Sequence, residues 1–345
     1  RPFLAFEVEQ SLKQMKPLTT LGPDGMPPLF FKNYWSIVGI DVIEASLSVL
    51  NNGVMPANIN HTFISLIPKV NAPTNPKDFR PISLCNVIYK IISKTIANRL
   101  KKIIPKLVSE TQSAFMSERL ISDNILIAFE TLHHLKNRRK GKSGFMVLKL
   151  DMSKAYDRVE WNFLEKIMER LGFDNKWISL ISCCIRSVSF SILVNGEPRG
   201  LIHPSRGLRQ GDPLSPYLFL LCAEGLSAML KKEESEGHIK GVVVCRGAPR
   251  VSHLLFADDS IIFCRASVME CERIVKVLED YESDSGQKIN KEKTSLYFSK
   301  TTSREVQDQV KQRLGAKIVR HHEKYLGLPP LVGRGKRKAF NRIKD

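Results

Sequence analysis

Apolar residues recur along this chain with helical spacing in some segments and in short unbroken runs in others. Helical spacing predicts one helix in EVEQSLKQM near the N-terminus, a second from Asn33 to Leu50, and a third from Ser83 to Leu107. The run NHTFISLIPK predicts a strand that ends at Pro68, and APTNPKDFRP, rich in proline and asparagine, predicts a loop after it. This part of the chain therefore combines helices with at least one strand.

A buried strand followed by a helix is predicted in FMVLKLDMSKAYDRVEWNFLEKIMERLGF. Residues 145 to 150 have the length and apolar character of the strand, and apolar residues from Trp161 to Leu171 have helical spacing until Gly172. Asp151 stands at the end of the strand. A single aspartate there is typical of a helix N-cap or a turn, so it does not by itself indicate a catalytic site.

Two further segments predict β-hairpins. In VSFSILVNGEPRG, Asn195 and Gly196 supply the positive φ angles of a tight turn. In LLFADDSIIF, two apolar runs flank Asp258 and Asp259, so we expect both aspartates at the connection between two buried strands. Between these hairpins, Pro213 is expected to start the helix in LSPYLFLLCAEGLSAML.

The three aspartates together indicate a metal site. If the strands that end at Asp151 and Asp258 are neighbours in one sheet, three carboxylates meet at one edge of it. Like charges held so close are unfavourable unless a cation lies among them. Mg²⁺ prefers carboxylate oxygens and keeps positions open for water and phosphate, and two such ions about 4 Å apart promote nucleotidyl transfer. We therefore expect nucleotidyl transfer at this edge.

Composition limits the class of protein. The chain has 345 residues, of which 43% are hydrophobic and 26% charged, and this favours a folded protein of two or three subdomains. No apolar run is long enough to span a bilayer, the start has no signal-peptide pattern, and the seven cysteines lack zinc-ligand spacing. We expect a soluble protein with buried cysteines in a reducing compartment. Because the first residue is Arg1, we also expect a piece of a longer protein.

The net charge of +18 indicates a polyanionic partner. The excess is clustered, because residues 286 to 345 contain 16 Lys and Arg against 5 Asp and Glu. From charge alone, a solvated basic face on an ordinary enzyme remains the alternative interpretation.

Five segments, in this order, carry a family resemblance: LKLDMSKAYD, SRGLRQGDPLSPYLF, LLFADDSIIF, SGQKINKEKTSLYF and YLGLP. They resemble motifs A to E of reverse transcriptases, especially those of non-LTR (LINE-type) retrotransposons of plants, and ISLIPK and KDFRPISL resemble the fingers motifs. The resemblance runs from about Glu7 to Pro330. It implies an α+β, right-hand polymerase fold with fingers and an N-terminal extension in residues 1–140, a palm with an antiparallel sheet in 141–300, and motif E with a partial, truncated thumb in 301–345.

The resemblance also implies roles for individual residues. Asp151 and Asp258 match the main ligands of both catalytic ions, with Asp259 in support; the ions would be Mg²⁺, with Mn²⁺ as the alternative. Tyr156 matches the aromatic gate that excludes a 2′-hydroxyl, although a core tyrosine on the helix is the plain alternative. The other matching positions would contact nucleotide or primer: Lys69 and Arg80 the triphosphate, Gln210 and Gly211 the nucleotide pocket, Lys293 the leaving pyrophosphate with Lys288 and Lys291 as competitors, and Tyr325, Leu326 and Gly327 the primer.

The function implied is RNA-directed DNA polymerisation in the nucleus, with an RNA template, a DNA primer and dNTPs as partners and no membrane association. Two alternatives stay open, namely a non-catalytic RNA-binding remnant and a polymerase like that of group II intron maturases. The intact aspartates favour the active polymerase over the RNA-binding remnant. The absence of a maturase segment counts against the maturase-like polymerase. Two departures from the family pattern, Thr20-Leu21 before GPDG and Ser117-Glu118 before Arg119, are expected to weaken activity. The pattern predicts neither the template nor the oligomeric state.

Overall fold

The computed structural model describes residues 1–139, 141, 143–319 and 325–326. In chain order its α-helices are α1 (Ala5–Lys13), α2 (Pro28–Asn33), α3 (Trp35–Asn52), α4 (Val87–Leu107), α5 (Ile121–Asn137), α6 (Ala155–Arg158), α7 (Trp161–Arg170), α8 (Asn175–Arg186), α9 (Ser215–Ser235), α10 (Val268–Ser285) and α11 (Arg304–Leu314). Its strands are β1 (His61–Pro68), β2 (Phe79–Cys85), β3 (Phe145–Leu150), β4 (Ser189–Val194), β5 (Glu197–Ile202), β6 (His253–Phe256), β7 (Asp259–Arg265), β8 (Ser295–Phe298) and β9 (Lys317–Ile318). Helices and mainly antiparallel sheets confirm the α+β class.

The chain forms two compact units. Residues Arg1–Leu107 and Tyr156–Leu221 make the first unit, while Val108–Ala155 and the chain from Cys222 onward make the second. This division differs from the predicted segments 1–140, 141–300 and 301–345. It differs because β1 pairs with β4, a strand far along the chain, so that residues after the predicted boundary at 140 join the first unit. The names fingers, palm and thumb for the three segments stay predictions.

The first unit contains a four-stranded sheet in the order β2-β1-β4-β5. Strands β1 and β2 are antiparallel, β1 and β4 are parallel, and β4 and β5 form the predicted hairpin. Asn195 and Gly196 have φ angles of +54° and +85°, which confirms the predicted turn. Helices α1, α3 and α4 of the same unit pack against one another.

The second unit is built on a five-stranded sheet in the order β6-β7-β3-β8-β9. All neighbours are antiparallel except β8 and β9. Alternate residues of β3 serve two cores: Phe145 and Val147 pack with buried residues of α5, whereas Leu148 and Leu150 line a small cavity with residues of α10. The central strand is thus buried on both faces, as its unbroken apolar run predicted.

Several predicted boundaries were wrong. The helix expected from Asn33 to Leu50 is present as α3, but it begins at Trp35 and ends at Asn52, because Tyr34 leaves helical geometry and separates it from α2. The helix expected from Ser83 begins only at Val87, since Ser83 belongs to β2, which pairs along its length with β1. Strand β2 also includes the last three residues of the expected loop APTNPKDFRP. Helix α9 begins at Ser215, two residues after Pro213.

The cysteines largely follow the prediction of small buried residues. All seven are free thiols, and five are buried: Cys85, Cys184, Cys222, Cys264 and Cys271. Cys183 is partly buried, and Cys245 is exposed, contrary to expectation.

None of the helices in the described part of the chain is both long and apolar enough to cross a membrane.

Candidate active site

The hairpin of β6 and β7 carries two of the three predicted catalytic aspartates. Phe256 pairs directly with Asp259, so the two-residue turn consists of Ala257 and Asp258. The prediction that Asp258 and Asp259 together form the connection was therefore wrong by one residue, because Asp259 is already the first residue of β7. Asp258 is exposed at the tip of the hairpin, and Asp259 is half-buried beside it.

Asp151 reaches the same edge of the sheet from a neighbouring strand. It follows β3 directly, and the last residue of that strand, Leu150, pairs with Ser260 of β7. Continuing this antiparallel register by one residue brings Asp151 opposite Asp259. The backbone also excludes the N-cap interpretation, because the next helix, α6, starts four residues later at Ala155. The second unit therefore brings the three carboxylates to one sheet edge.

The electrostatics of this edge are those of crowded like charges. Burial raises the pKa of Asp259, and the negative charges of Asp258 and Asp151 add to the rise, while the positive charge of Lys149 opposes it. A divalent cation near these carboxylates would offset the same repulsion. The donor set, carboxylate oxygens alone, is also the set that Mg²⁺ and Mn²⁺ bind. The residues present thus fit a divalent metal ion.

Closely spaced metal-ligand atoms occur elsewhere in the second unit. Within the described residues, the group of His, Cys, Asp or Glu side chains whose ligand atoms all lie within 4.8 Å of one another is Glu233, Glu236 and His238. His238 Nδ1 lies 3.0 Å from Glu233 Oε2, and ordinary hydrogen bonding at the end of a helix accounts for this group. The three aspartates do not all approach one another to that distance.

The segment that contains Lys293 runs beside the residues after β3. The backbone N–H of Asn290 donates to the carbonyl oxygen of Asp151 at 2.8 Å, and the N–H of Ser153 donates to the carbonyl oxygen of Lys288, also at 2.8 Å. Lys293 is exposed three residues beyond Asn290. The two competing lysines, Lys288 and Lys291, are exposed as well, and the role at the pyrophosphate stays a prediction.

Lys69 and Arg80 come together at the open end of the ladder formed by β1 and β2 in the first unit. Arg80 pairs with Ile67, and the N–H of Lys69 donates to the carbonyl oxygen of Asp78 at 2.8 Å. Both basic side chains are exposed, and Lys69 Nζ lies 3.2 Å from the carbonyl oxygen of Lys77. Their role in binding a triphosphate stays a prediction.

Gln210 and Gly211 lie in the loop before α9. Gln210 lines a largely apolar cavity of about 290 Å³, and its carbonyl oxygen accepts the N–H of Ser83 at 2.9 Å. Gly211 has φ +108°, and a Cβ there would lie 3.1 Å from the carbonyl oxygen of Ser83. Gly207 has φ +92°, and a Cβ there would lie 2.8 Å from the carbonyl oxygen of Asp157. At both positions the missing Cβ allows another backbone segment of the same unit to approach closely.

A buried ion pair flanks Gln210, and the sequence reasoning missed it. Arg209 and Asp212 are 2.9 Å apart, with 5% and 4% of their side chains exposed. The Tyr89 hydroxyl donates to Asp212 at 2.7 Å, and the Arg209 guanidinium lies 3.9 Å from the centre of the Tyr89 ring. Two charges of opposite sign on either side of QG, just before the apolar run YLFLL, were the available signal for this pair.

Tyr156 lies in α6, and its ring stacks on Phe219 of α9 with 4.8 Å between ring centres and 11° between planes. The N–H of Leu208 donates to the carbonyl oxygen of Tyr156 at 2.8 Å, so the residue is tied to the loop that carries Gln210. The side chain is partly exposed rather than part of the core. This environment is compatible with a rigid aromatic gate, and the gate itself stays a prediction.

Tyr325 occupies the core instead of the surface. Its side chain is 1% exposed, and its hydroxyl donates to Asn124 Oδ1 at 2.8 Å. Burial raises the pKa of Tyr325, and the negative charge of Asp259 adds to the rise. The ring therefore supports the aspartate hairpin from within the core. Leu326 is partly buried with φ +49°, and Gly327 lies outside the described residues, as does the basic stretch after it.

Sequence comparisons relate this chain to known proteins. The family model described as "Reverse transcriptase (RNA-dependent DNA polymerase)" matches residues 67–329. The chain is 29% identical over 294 residues to the "Transposon TX1 uncharacterized 149 kDa protein" of Xenopus laevis, covering 85% of this chain and 22% of that protein. It is 27% identical over 272 residues to the "Retrovirus-related Pol polyprotein from type-2 retrotransposable element R2DM" of Drosophila melanogaster, covering 79% and 24%.

A third relative and a solved structure complete the comparison. The chain is 56% identical over 68 residues to the "Uncharacterized mitochondrial protein AtMg01250" of Arabidopsis thaliana, covering 20% of this chain and 56% of that protein. An apo telomerase structure from Candida tropicalis matches with a TM-score of 0.49 and 16% identity, over 72% of this chain and 52% of that one. The chain spans less than a quarter of the TX1 and R2DM proteins. The matched family model covers most of its residues, and the chain belongs to the reverse transcriptase (RNA-dependent DNA polymerase) family.

Proposed function

We propose that this chain is the polymerase segment of a non-LTR retrotransposon polyprotein and extends a DNA primer with dNTPs on an RNA template. The observation that carries the proposal is the placement of Asp151, Asp258 and Asp259 at one edge of a buried sheet. Membership of the reverse transcriptase family and the similarity to transposon proteins support it. The Arabidopsis relative supports a plant source. Nuclear action follows from the proposed role in retrotransposition.

Asp151 and Asp258 would be the main ligands of two Mg²⁺ ions, with Asp259 in support. Bound there, the ions would activate the primer 3′-hydroxyl and neutralise charge on the leaving pyrophosphate. The protein's own part is to keep three carboxylates on strand ends that a buried sheet holds in place. Residues at the ends of buried strands are already ordered in the folded chain. The carboxylates would therefore need little rearrangement when substrate binds.

The basic side chains of the first unit would bind the incoming nucleotide. Lys69 and Arg80, both exposed at one end of a β-ladder, suit the triphosphate because charge-assisted hydrogen bonds to phosphate are strong. Gln210, which lies in the loop before α9 and lines a cavity, would contact the base or sugar. The net charge of +18 supports binding of the RNA and primer backbones.

Primer extension tests this proposal. A 5′-labelled DNA primer annealed to an RNA template is incubated with the chain, dNTPs and Mg²⁺, and a parallel reaction contains EDTA. We expect products one nucleotide and longer with Mg²⁺ and none with EDTA. Absence of extension, together with salt-sensitive RNA binding, would contradict the enzyme and favour the RNA-binding remnant.

The sugar gate has its own test. We expect Tyr156→Ala to raise ribonucleotide incorporation relative to deoxynucleotide incorporation by about tenfold or more, because a lost steric block removes discrimination. Phe163→Ala, a change of another aromatic residue in nearby helix α7, is the control. Unchanged selectivity in Tyr156→Ala would place the gate elsewhere.

A further inference from the structure

Gln112 connects the loop before α5 to the turn that carries Asp258. Its side-chain oxygen Oε1 accepts the backbone N–H of Ala257 at 3.0 Å and that of Ala114, also at 3.0 Å. Ala257 immediately precedes Asp258, and 145 positions separate it from Gln112. One amide oxygen therefore joins a distant loop to the turn.

The turn needs such support because of the backbone at Ala257. Its φ angle is +53°, in the left-handed region that residues with a Cβ rarely adopt. The hydrogen bond from its N–H to Gln112 fixes the peptide plane at the start of the turn. Without this bond the turn is free to relax toward an ordinary geometry, and the carboxylate of Asp258 moves with it.

Gln112 is itself held rigidly. It is 1% exposed, and its carbonyl oxygen accepts a hydrogen bond from Arg119 at 2.5 Å. The residues on either side pair with the edge strand β6, since Leu255 N–H donates to Thr111 O at 2.8 Å and Ser113 N–H donates to Leu255 O at 3.2 Å. The loop around Gln112 thus runs parallel to β6 and extends the sheet. Arg119 makes its hydrogen bond to Gln112 although Ser117 and Glu118, just before it, depart from the family pattern.

The other half of the amide group is not used. Gln112 Nε2 is buried and has no hydrogen-bond partner among the described residues. The orientation of the amide is fixed, because two backbone N–H donors must face the oxygen. A buried NH₂ group without a partner is unfavourable, and an apolar side chain of equal length would avoid that penalty. The accepting oxygen is therefore the part of Gln112 that matters to this fold.

We infer that Gln112 is a positioning residue that holds the Asp258 turn in the geometry needed for nucleotide addition, an inference that rests on the proposed polymerase function. It acts through the backbone of Ala257 and does not touch the reacting atoms. Loss of the oxygen should lower kcat, because Asp258 is misplaced during chemistry. The KM for dNTP should change little, since the side chains assigned to the triphosphate, Lys69 and Arg80, lie at one end of the β1–β2 ladder in the first unit, whereas Gln112 belongs to the second unit.

The first test replaces the oxygen while keeping the length of the side chain. In steady-state primer extension on RNA, Gln112→Met should lower kcat by about tenfold, as expected for one lost hydrogen bond at a site that must be ordered. The KM for dNTP should stay within about twofold. Gln10→Met, on the exposed side of α1, is the matched control and should leave both constants unchanged. A raised KM with unchanged kcat would overturn the inference.

The second test asks whether the turn itself is what Gln112 supports. Glycine adopts a positive φ without the strain of a Cβ, so Ala257→Gly added to Gln112→Met should restore kcat by about threefold. Recovery would not follow if Gln112 merely filled space in the core. A double variant as slow as Gln112→Met would count against positioning through Ala257.

Hydrogen exchange separates this inference from the proposed function, because it requires no activity. In Gln112→Met, amides of residues 254–260 should exchange at least about tenfold faster, while those of β3 and β8 keep their protection and report an intact fold. Unaltered exchange in the hairpin would refute the inference even in an active polymerase. Faster exchange in a chain that never extends primers would uphold the support of the turn by Gln112 and refute the polymerase proposal.

Discussion

His253 makes the unit that carries the aspartates sensitive to acid. It lies on β6 with no exposed surface, and its Nε2 atom is 2.8 Å from Ser227 Oγ and 3.1 Å from Thr111 Oγ1. Its Nδ1 atom is 3.1 Å from Ser252 Oγ. Burial, assisted by the positive charge of Lys231, lowers the pKa of His253 from 6.5 to about 4. The imidazole is therefore neutral in the folded chain at pH values where the unfolded chain is protonated.

The direction and size of the effect follow from these two pKa values. Well above pH 6.5, His253 is neutral in both states and contributes no pH dependence. As the pH falls from 6.5 toward 4, the unfolded chain binds a proton that the folded chain excludes, so stability is lost. The full loss is about 3 kcal/mol, and about 2 kcal/mol of it falls between pH 7 and pH 5.

Urea unfolding of the wild type and of His253→Gln at pH 7, 6 and 5 measures this effect. Glutamine keeps a donor and an acceptor but does not titrate, so the difference between the two proteins isolates His253 from the carboxylates. We expect that, relative to the wild type, the variant gains about 2 kcal/mol between pH 7 and pH 5. His133→Gln, an exposed position on α5, is the control. Identical pH dependence in His253→Gln and wild type would refute the reasoning.

Gly207→Ala places a Cβ 2.8 Å from the carbonyl oxygen of Asp157 at a backbone φ of +92°. It should lower the free energy of unfolding in urea by more than about 2 kcal/mol, and a neutral result would contradict the close approach. Arg209→Met leaves Asp212 buried without its cationic partner and should cost about 3–5 kcal/mol by the same measurement, with part of the loss recovered when Asp212→Leu is added. Tyr325→Phe should cost about 1 kcal/mol of stability and leave primer affinity unchanged, whereas a large loss of primer affinity would support the primer-binding role instead.

Local patterns predicted the elements that carry the aspartates. The strand before Asp151 was marked by an unbroken apolar run, and the hairpin around Asp258 by two apolar runs on either side of a polar pair. Both are short-range signals, because a strand buried on two faces must be apolar at every position. The one-residue error at Asp259 arose because the pattern shows a turn between two strands but not which residue carries the positive φ.

Contacts between residues far apart in the chain could not be predicted from the sequence. Gln112 acts through a backbone N–H 145 positions away, and nothing in its own neighbourhood marks that contact. Tyr325 was assigned to the primer by resemblance, yet its hydroxyl reaches Asn124, 201 positions away, from inside the core. The division into two units was missed for the same reason, since it depends on pairing between β1 and β4, two strands far apart in the chain. A residue's type predicts its chemistry, but the fold decides what that chemistry faces.

The most direct test of the central claim is single-nucleotide primer extension by Asp258→Asn on an RNA template with Mg²⁺. Asparagine keeps the size of the side chain and removes the negative charge that would hold the ion. Asp280→Asn, an exposed carboxylate on α10, is the matched control. We expect extension to be abolished in Asp258→Asn with RNA affinity nearly unchanged, and retained in Asp280→Asn. Extension by Asp258→Asn at the wild-type rate would contradict the assignment of the active site.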